Sequence, residues 1–71
     1  MYDEAILRYC NAIELDKYNY NHYNNLAVVY MKKREFKKAK NLLLIAQNLK
    51  DDDENVNYNL QQIKKYLNEN E

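Results

Sequence analysis

Apolar residues recur at three- and four-residue steps in four stretches of the chain, and short polar segments separate these stretches. This spacing is typical of helices that bury one face. The pattern predicts helices over Tyr2 to Asp16, about Tyr20 to Lys33, about Phe36 to Leu49, and Glu54 to about Asn68. The chain is therefore expected to be all-α.

Polar residues mark the starts of two of these helices. Asn19 directly precedes the second helix and Asp53 the fourth, and such side chains accept hydrogen bonds from the free backbone N–H groups of a first turn. The acidic run from Asp51 to Glu54 ends the third helix and places negative charge at the positive end of the next helix dipole. We therefore expect Asn19 and Asp53 to be N-caps.

An aromatic, small, large, small pattern recurs after 34 residues. The first set is Tyr2, Ala5, Tyr9, Ala12 and Leu15, the second is Phe36, Ala39, Leu43, Ala46 and Leu49, and between them lies a third set, Tyr23, Leu26, Ala27 and Tyr30. Such a period is typical of stacked helical hairpins. Repeats of this kind present extended binding surfaces, which favours protein binding over catalysis.

The third and fourth helices differ in how much apolar surface they carry. The unbroken run Leu42 to Ile45 is too wide an arc for one neighbour, so it predicts packing on two sides. The fourth helix has one apolar stripe, Val56, Leu60, Ile63 and Leu67. Its other face is expected to be solvated and consists of Asn59, Gln61, Gln62, Lys64 and Lys65. One apolar and one polar side is typical of a terminal cap.

On these residues the chain resembles the tetratricopeptide repeat (TPR) family. The A helix of that family carries an aromatic residue, a Leu, a small residue and a Tyr, as the second helix does here. Its B helix places an aromatic residue, Ala, a large residue and Ala, as the third helix does. The resemblance implies antiparallel hairpins of a right-handed solenoid, with a B-type helix over 1–17, one complete repeat over 20–53 and a C-terminal capping helix over 54–71.

The chain departs from the family pattern at three places. Arg34 stands where the family often turns with Gly, and a left-handed non-Gly residue costs about 1 to 2 kcal/mol. Lys17 and Asp51 replace the Pro that commonly ends a B helix. In the last helix Asn57 and Lys64 stand where aromatic residues are expected, which favours a cap over a further full repeat.

The 71 residues contain just over two periods, whereas about three units are generally needed for a continuous core. A domain this small buries only about 60% of the surface of its unfolded chain. The first helix also lacks an A helix of its own. We therefore expect a fragment of a longer array, or a chain whose first helix is covered by another copy or a neighbouring subunit.

The resemblance implies a partner-binding groove lined by outward-facing residues of the A helices. In this chain they are Asn21, Asn24, Val28, Met31, Lys32, Asn55, Tyr58 and Gln62. Asn offers both donors and acceptors to an extended peptide; the alternative is that these are solvated positions of an Asn-rich chain. The carboxylate clamp of one TPR subset is not expected, because Asn25 fits it but Asn55 and Asn59 stand where cations are needed.

The net charge is zero, yet the segment from Lys32 to Lys40 is strongly basic, with six cations and one acid. Such a patch could meet nucleic acid or an acidic partner. The alternative is a solvated hinge with Phe36 drawn into the core. We do not expect nucleic acid, because the acidic segments on both sides repel phosphate.

Residues that could support chemistry are scarce. His22 has no second His or Cys at ligand spacing, the chain has no Ser or Thr, and Asp52 and Asp53 lie in an exposed run. Cys10, beside Tyr9, is expected to be a small packed hydrophobe. We expect no enzymatic activity, no cofactor and no metal.

The apolar run Leu42 to Ala46, like every other apolar run in the chain, is far shorter than the roughly 20 residues that cross a bilayer. With no signal-peptide pattern, we expect an intracellular, cytoplasmic protein. The resulting hypothesis is a TPR-type scaffold or adaptor that binds a partner peptide or helix in the A-helix groove. Two alternatives are a self-assembly or subunit-docking module, and an accessory TPR segment of a larger enzyme.

Overall fold

The computed structural model describes residues 1–68, and this part of the chain contains four α-helices and no strand. In chain order they are α1 (Tyr2–Leu15), α2 (Tyr20–Lys32), α3 (Phe36–Leu49) and α4 (Glu54–Tyr66). The predicted all-α fold and all four predicted helices are confirmed. Residues 69–71 of the predicted capping segment lie outside the described residues.

The turn between α1 and α2 is held by side chains of its own residues. Asn19 Oδ1 accepts a hydrogen bond from the Asn21 backbone N–H at 3.0 Å, which confirms the predicted N-cap. Asn19 Nδ2 donates to Asp16 Oδ2 at 3.1 Å, and the Tyr23 hydroxyl donates to the Lys17 carbonyl at 2.8 Å. These bonds connect the loop to the end of α1 and to the first turn of α2.

The turn between α2 and α3 has Arg34 in the left-handed region, with φ 65°. The Arg34 N–H donates to the Met31 carbonyl and the Glu35 N–H to the Tyr30 carbonyl, both at 2.9 Å. This pair of bonds is a Schellman motif, in which Gly is the usual residue at the left-handed position. The turn therefore forms without Gly, and Arg34 carries the steric cost.

The turn between α3 and α4 is organised by Asp53. Its Oδ2 accepts from the Val56 N–H at 3.0 Å, which confirms the second predicted N-cap. Its Oδ1 accepts from the Tyr20 hydroxyl at 3.0 Å and so joins the starts of α4 and α2. At the other end, α4 stops two residues before the predicted Asn68, because Asn68 has a positive φ of 59°.

Side-chain bonds fix the directions of the helices. Gln47 near the end of α3 bonds Asn57 near the start of α4 at 3.1 Å, so these two helices are antiparallel. Tyr20 and Asp53 join the N-terminal ends of α2 and α4, which therefore run parallel. Each helix contacts the next along the chain, and α2 also contacts α4. The chain thus folds as consecutive helical hairpins with α4 alongside α2.

The core lies where α2, α3 and α4 meet. Its buried residues are Ala27, Ala39, Leu43, Ala46, Val56, Leu60 and Ile63. Ala27 and Ala39 are fully buried, and their small side chains allow close approach of the helix backbones. The apolar stripe predicted for α4 is confirmed, since Leu67 also packs on this cluster. The radius of gyration of 11.5 Å matches the roughly 11 Å of a globular chain of this length.

The α3 helix has the two neighbours that its apolar run predicts, α2 and α4. They cover only part of the run: Leu43 is buried and Leu42 packs on the core, whereas Leu44 and Ile45 are 45% and 44% exposed. Part of the wide apolar arc therefore faces outward on the described chain.

The first helix is the least covered element. Within residues 1–68 it contacts α2 only, and none of its residues is buried. Leu7 and Leu15 are 63% and 89% exposed, and Tyr2, predicted to help define the fold, is also exposed. The expectation that Cys10 is a packed hydrophobe is wrong, because α2 covers one side of α1 and leaves Cys10 exposed.

A hydrogen bond between two Asn side chains joins α2 to α4. Asn59 Nδ2 donates to Asn24 Oδ1 at 3.0 Å, and Asn24 is only 9% exposed. The prediction that Asn24 faces outward is therefore wrong, and Asn59, predicted to be solvated, is half-buried. The physical reason is that α2 and α4 lie side by side, so the Asn59 amide supplies a hydrogen bond to the buried Asn24 side chain.

We expect Asn24→Ala and Asn59→Ala each to lower the free energy of unfolding by about 1 to 3 kcal/mol, because each leaves one amide partly buried without its partner. The double variant should lose less than the sum of the two. Urea unfolding followed by circular dichroism measures this. Asn25→Ala, at an exposed position of the same helix, corrects for the helix propensity of Ala. Strictly additive losses would contradict the coupling.

Candidate partner-binding site

A cavity of about 250 Å³ opens between the C-terminal halves of α2 and α4. Its lining residues are Val28, Met31, Lys32, Arg34, Phe36, Asn59 and Tyr66. They come from α2, the following turn, the first residue of α3, and α4. The cavity is therefore built by three helices and one turn.

Helical spacing places these residues on shared walls. Val28, Met31 and Lys32 are three and four residues apart and form one face of α2. Asn59 and Tyr66 are two turns apart on α4, so they also share a face. Since α2 and α4 run parallel, these faces lie along each other, and the bond from Asn59 to Asn24 holds them in register.

Two aromatic rings form one side of the cavity. The rings of Phe36 and Tyr66 stack with centroids 4.4 Å apart and planes 6° from parallel. Phe36 packs on the core, as predicted, while Tyr66 remains more than half exposed. The stack thus joins the start of α3 to the end of α4, and it leaves a large aromatic surface at the cavity mouth.

The guanidinium of Arg34 lies beside this stack. Its Cζ is 5.3 Å from the Phe36 centroid and 5.8 Å from the Tyr66 centroid. With the centroids only 4.4 Å apart, these distances place it at the rim of both rings and not above the outer face of either. The favourable cation–π position is above a ring face, so the ring contact is weak. Arg34 is exposed, and its guanidinium pairs with no carboxylate of residues 1–68.

Two neighbouring cations, Lys33 and Lys38, form ion pairs with carboxylates. Lys33 Nζ lies 3.2 Å from Glu35 and 3.6 Å from Asp3, and Lys38 Nζ lies 3.1 Å from Glu35. The ammonium of Lys38, followed by that of Lys33, holds the pKa of the Glu35 carboxyl below its usual value. In contrast, no carboxylate of residues 1–68 pairs with the two cations that line the cavity.

The structure brings together three of the residues predicted for the groove, Val28, Met31 and Lys32. Asn24 lies beneath the surface on its bond to Asn59. The remaining predicted residues lie outside the cavity lining; they are Asn21, Asn55, Tyr58 and Gln62. Of the residues predicted for the groove, only those in the C-terminal half of α2 therefore line the cavity.

Four lining residues were not predicted as groove residues: Arg34, Phe36, Asn59 and Tyr66. The position of Tyr66 gave one usable signal, since it follows the buried Ile63 by three residues and so lies beside the apolar stripe. The 34-residue spacing from Tyr30 pointed to Lys64 instead. Strict periodicity therefore missed the ring by two positions.

Four other depressions of the described chain have volumes of about 380 to 530 Å³, one of them between α3 and α4, and the lining of each includes at least one carboxylate residue. A depression of about 530 Å³ at the end of α3 is lined by that helix and the next turn alone, so it lacks a second helical wall. His22 Nε2 lies 3.5 Å from Asp16 Oδ2 near the start of α2. Within residues 1–68 no group of three His, Cys, Asp or Glu is arranged to hold a metal ion.

None of the helices in residues 1–68 has the length and apolar character required to cross a membrane. Comparisons with protein-family models, with curated proteins and with solved structures found no match for the chain. The cavity between α2 and α4 and the 34-residue pattern therefore carry the functional proposal.

We expect Arg34→Gly to raise the free energy of unfolding by about 1 kcal/mol, because Gly adopts the left-handed conformation of this turn without steric cost. Urea unfolding measures the change. The matched control is Asn41→Gly, which places Gly at an exposed position inside α3 and should lower stability by about 0.5 kcal/mol. An Arg34→Gly variant no more stable than the wild type would show that the turn is not strained.

Proposed function

We propose that the chain is a protein-interaction module of TPR type that binds a peptide or helical segment of a partner in the cavity between α2 and α4. The observation that carries this proposal is the cavity itself, in which three residues of the expected A-helix groove meet an aromatic stack and two cations that pair with no carboxylate of residues 1–68. The role is one of binding and not of catalysis.

The arrangement of the helices supports the TPR assignment. The α2 and α3 helices form a hairpin, and α4 lies parallel to α2 as the first helix of a following hairpin would. The small residues of the family pattern, Ala27 and Ala39, are fully buried where these helices meet. Parallel stacking of successive first helices is the geometry from which a solenoid groove is built.

The chemistry of the cavity supports partner binding. Val28 and Met31 supply half-buried apolar walls, and the flexible thioether of Met adapts to side chains of different shape. Tyr66 and Arg34 are of the residue types that dominate interface energies. The volume of about 250 Å³ is below the usual range of small-molecule pockets, so it suits one or two inserted side chains.

A phage-displayed library of random peptides, selected on the immobilised chain, tests the proposal. We expect enriched peptides to bind the wild type and to bind the Val28→Ala/Met31→Ala variant about tenfold more weakly, because two apolar walls are shortened. Fluorescence anisotropy with synthetic copies of the peptides measures the affinities.

The matched control is Leu44→Ala/Leu49→Ala, which removes exposed apolar surface of α3 outside the cavity and should leave the affinities within about twofold. Circular dichroism establishes that both variants remain helical. Failure to enrich any peptide, or equal affinity for the wild type and the cavity variant, would remove the cavity as a binding site.

A second candidate role is self-assembly through α1. This helix contacts α2 alone among the described helices, and it exposes Leu7 and Leu15. An apolar helix face left in water favours association with another chain. A second copy of this chain is the simplest occupant, since it needs no other partner.

If α1 mediates self-assembly, light scattering should show the mass rising with protein concentration, and Leu7→Glu should shift the midpoint at least about tenfold upward, because a charge is placed in the contact. Asn25→Glu, at an exposed position of α2, serves as the control. A folded monomer of 8.7 kDa at every concentration would exclude this role.

A further inference from the structure

We infer that the partner segment accepted by the cavity between α2 and α4 carries a carboxylate side chain next to an apolar side chain. This inference rests on the proposed binding function and specifies the chemistry of its partner. It follows from the charges, the ring geometry and the turn conformation at the cavity.

The charges of the lining residues have one sign. Lys32 and Arg34 are the only charged residues among the seven, and neither has a carboxylate partner within residues 1–68. Their neighbours Lys33 and Lys38 are held by Glu35. Two cations at the edge of an apolar cavity attract an anionic group, and the low-dielectric walls strengthen that attraction.

The position of Arg34 suits a carboxylate. The Schellman turn fixes its backbone through bonds from Arg34 to Met31 and from Glu35 to Tyr30. Its guanidinium lies at the rim of the stacked rings, so the ring faces do not cover its N–H groups. A planar guanidinium with free N–H groups can bind both oxygens of a carboxylate.

The strain at Arg34 gives independent support. Gly would form the same left-handed turn at lower cost, yet the position carries a cation with φ 65°. Strained backbone conformations cluster at binding sites, where a side chain is kept for what it contacts. Here the strained residue, Arg34, lines the cavity. The steric cost of its backbone conformation is therefore associated with a side chain in the binding site.

The remaining lining residues suit the rest of the ligand. Val28, Met31 and Phe36 surround the space that an apolar side chain would fill. Asn59 donates through Nδ2 to Asn24, and this leaves its Oδ1 as an acceptor for a peptide N–H. With an apolar side chain inserted in the cavity, the peptide backbone would lie beside Asn59, and the neighbouring acidic side chain would lie beside Arg34.

A peptide fits these features better than a nucleic acid does. Strands of nucleic acid need a row of cations along the backbone, whereas the cavity lining has two, and nearby Lys33 and Lys38 are held by Glu35. One face of each aromatic ring is taken by the other ring. The apolar walls formed by Val28, Met31 and Phe36 match an apolar side chain.

Three fluorescein-labelled peptides of one length test the inference with the full chain. The first alternates Asp and Leu, the second replaces each Asp by Asn, and the third replaces each Leu by Ser. A single-stranded oligothymidine of equal charge is the fourth probe. We expect the first peptide to bind at least about tenfold more tightly than the other three, since only it offers both groups.

Two substitutions connect this preference to the cavity. We expect Lys32→Gln with Arg34→Asn to weaken binding of the Asp-Leu peptide by about 5- to 10-fold, while binding of the Asn-Leu peptide changes less than about twofold. Asn is chosen at position 34 because it tolerates the left-handed conformation. The control Lys37→Gln removes a cation outside the cavity and should change either affinity less than about twofold.

The outcomes separate the inference from the function on which it rests. Equal binding of the Asp-Leu and Asn-Leu peptides would overturn the inference and leave the proposed function in place. Loss of affinity in Lys37→Gln as large as in the cavity variant would show diffuse attraction and overturn it as well. Tighter binding of oligothymidine would favour nucleic acid and overturn the inference. No binding of the Asp-Leu peptide would also overturn it, whereas the proposed function fails only if the library selection enriches no peptide that depends on the cavity.

Discussion

A hydrogen bond between two asparagine amides sets how the second half of the structure lies on the first. Asn59 donates to Asn24 at 3.0 Å between α2 and α4, in a place where an unpaired amide would cost about 1 to 3 kcal/mol. A slip of α4 by one turn would break this bond and also separate Tyr20 from Asp53. Two polar contacts therefore select one register from those that the apolar stripe alone would allow.

The cavity depends on that register. With α4 fixed along α2, the ring of Tyr66 reaches Phe36, and the space between the helices is lined by Val28 and Met31. Arg34 lies at the rim of both rings, because the turn that carries it leads directly into α3, which begins with Phe36. The candidate site is thus a consequence of how the helices pack, and it has no local motif of its own.

This dependence on packing explains which features could be predicted from the sequence. Period, caps and apolar stripes are local properties, so the four helices, the caps Asn19 and Asp53, and the buried Ala27 and Ala39 were predictable. The polarity of a residue does not reveal that a side chain of another helix will bond to it, so the sequence predicts Asn24 to face solvent. The lining of the cavity was predictable only in part for the same reason, since Tyr66 joins it only when α4 packs along α2.

The first helix, α1, and the cavity beside α4 lie on opposite sides of α2. Leu26 and Val29 of α2 are buried but do not belong to the core cluster of α2, α3 and α4. Lys33 continues the same stripe at the end of α2, and it pairs with Asp3 of α1. At 100° per residue this stripe lies opposite the one that carries Val28 and Met31. A chain that covers α1 would therefore leave the cavity open. Binding at the two places uses separate surfaces, so their free energies are expected to add.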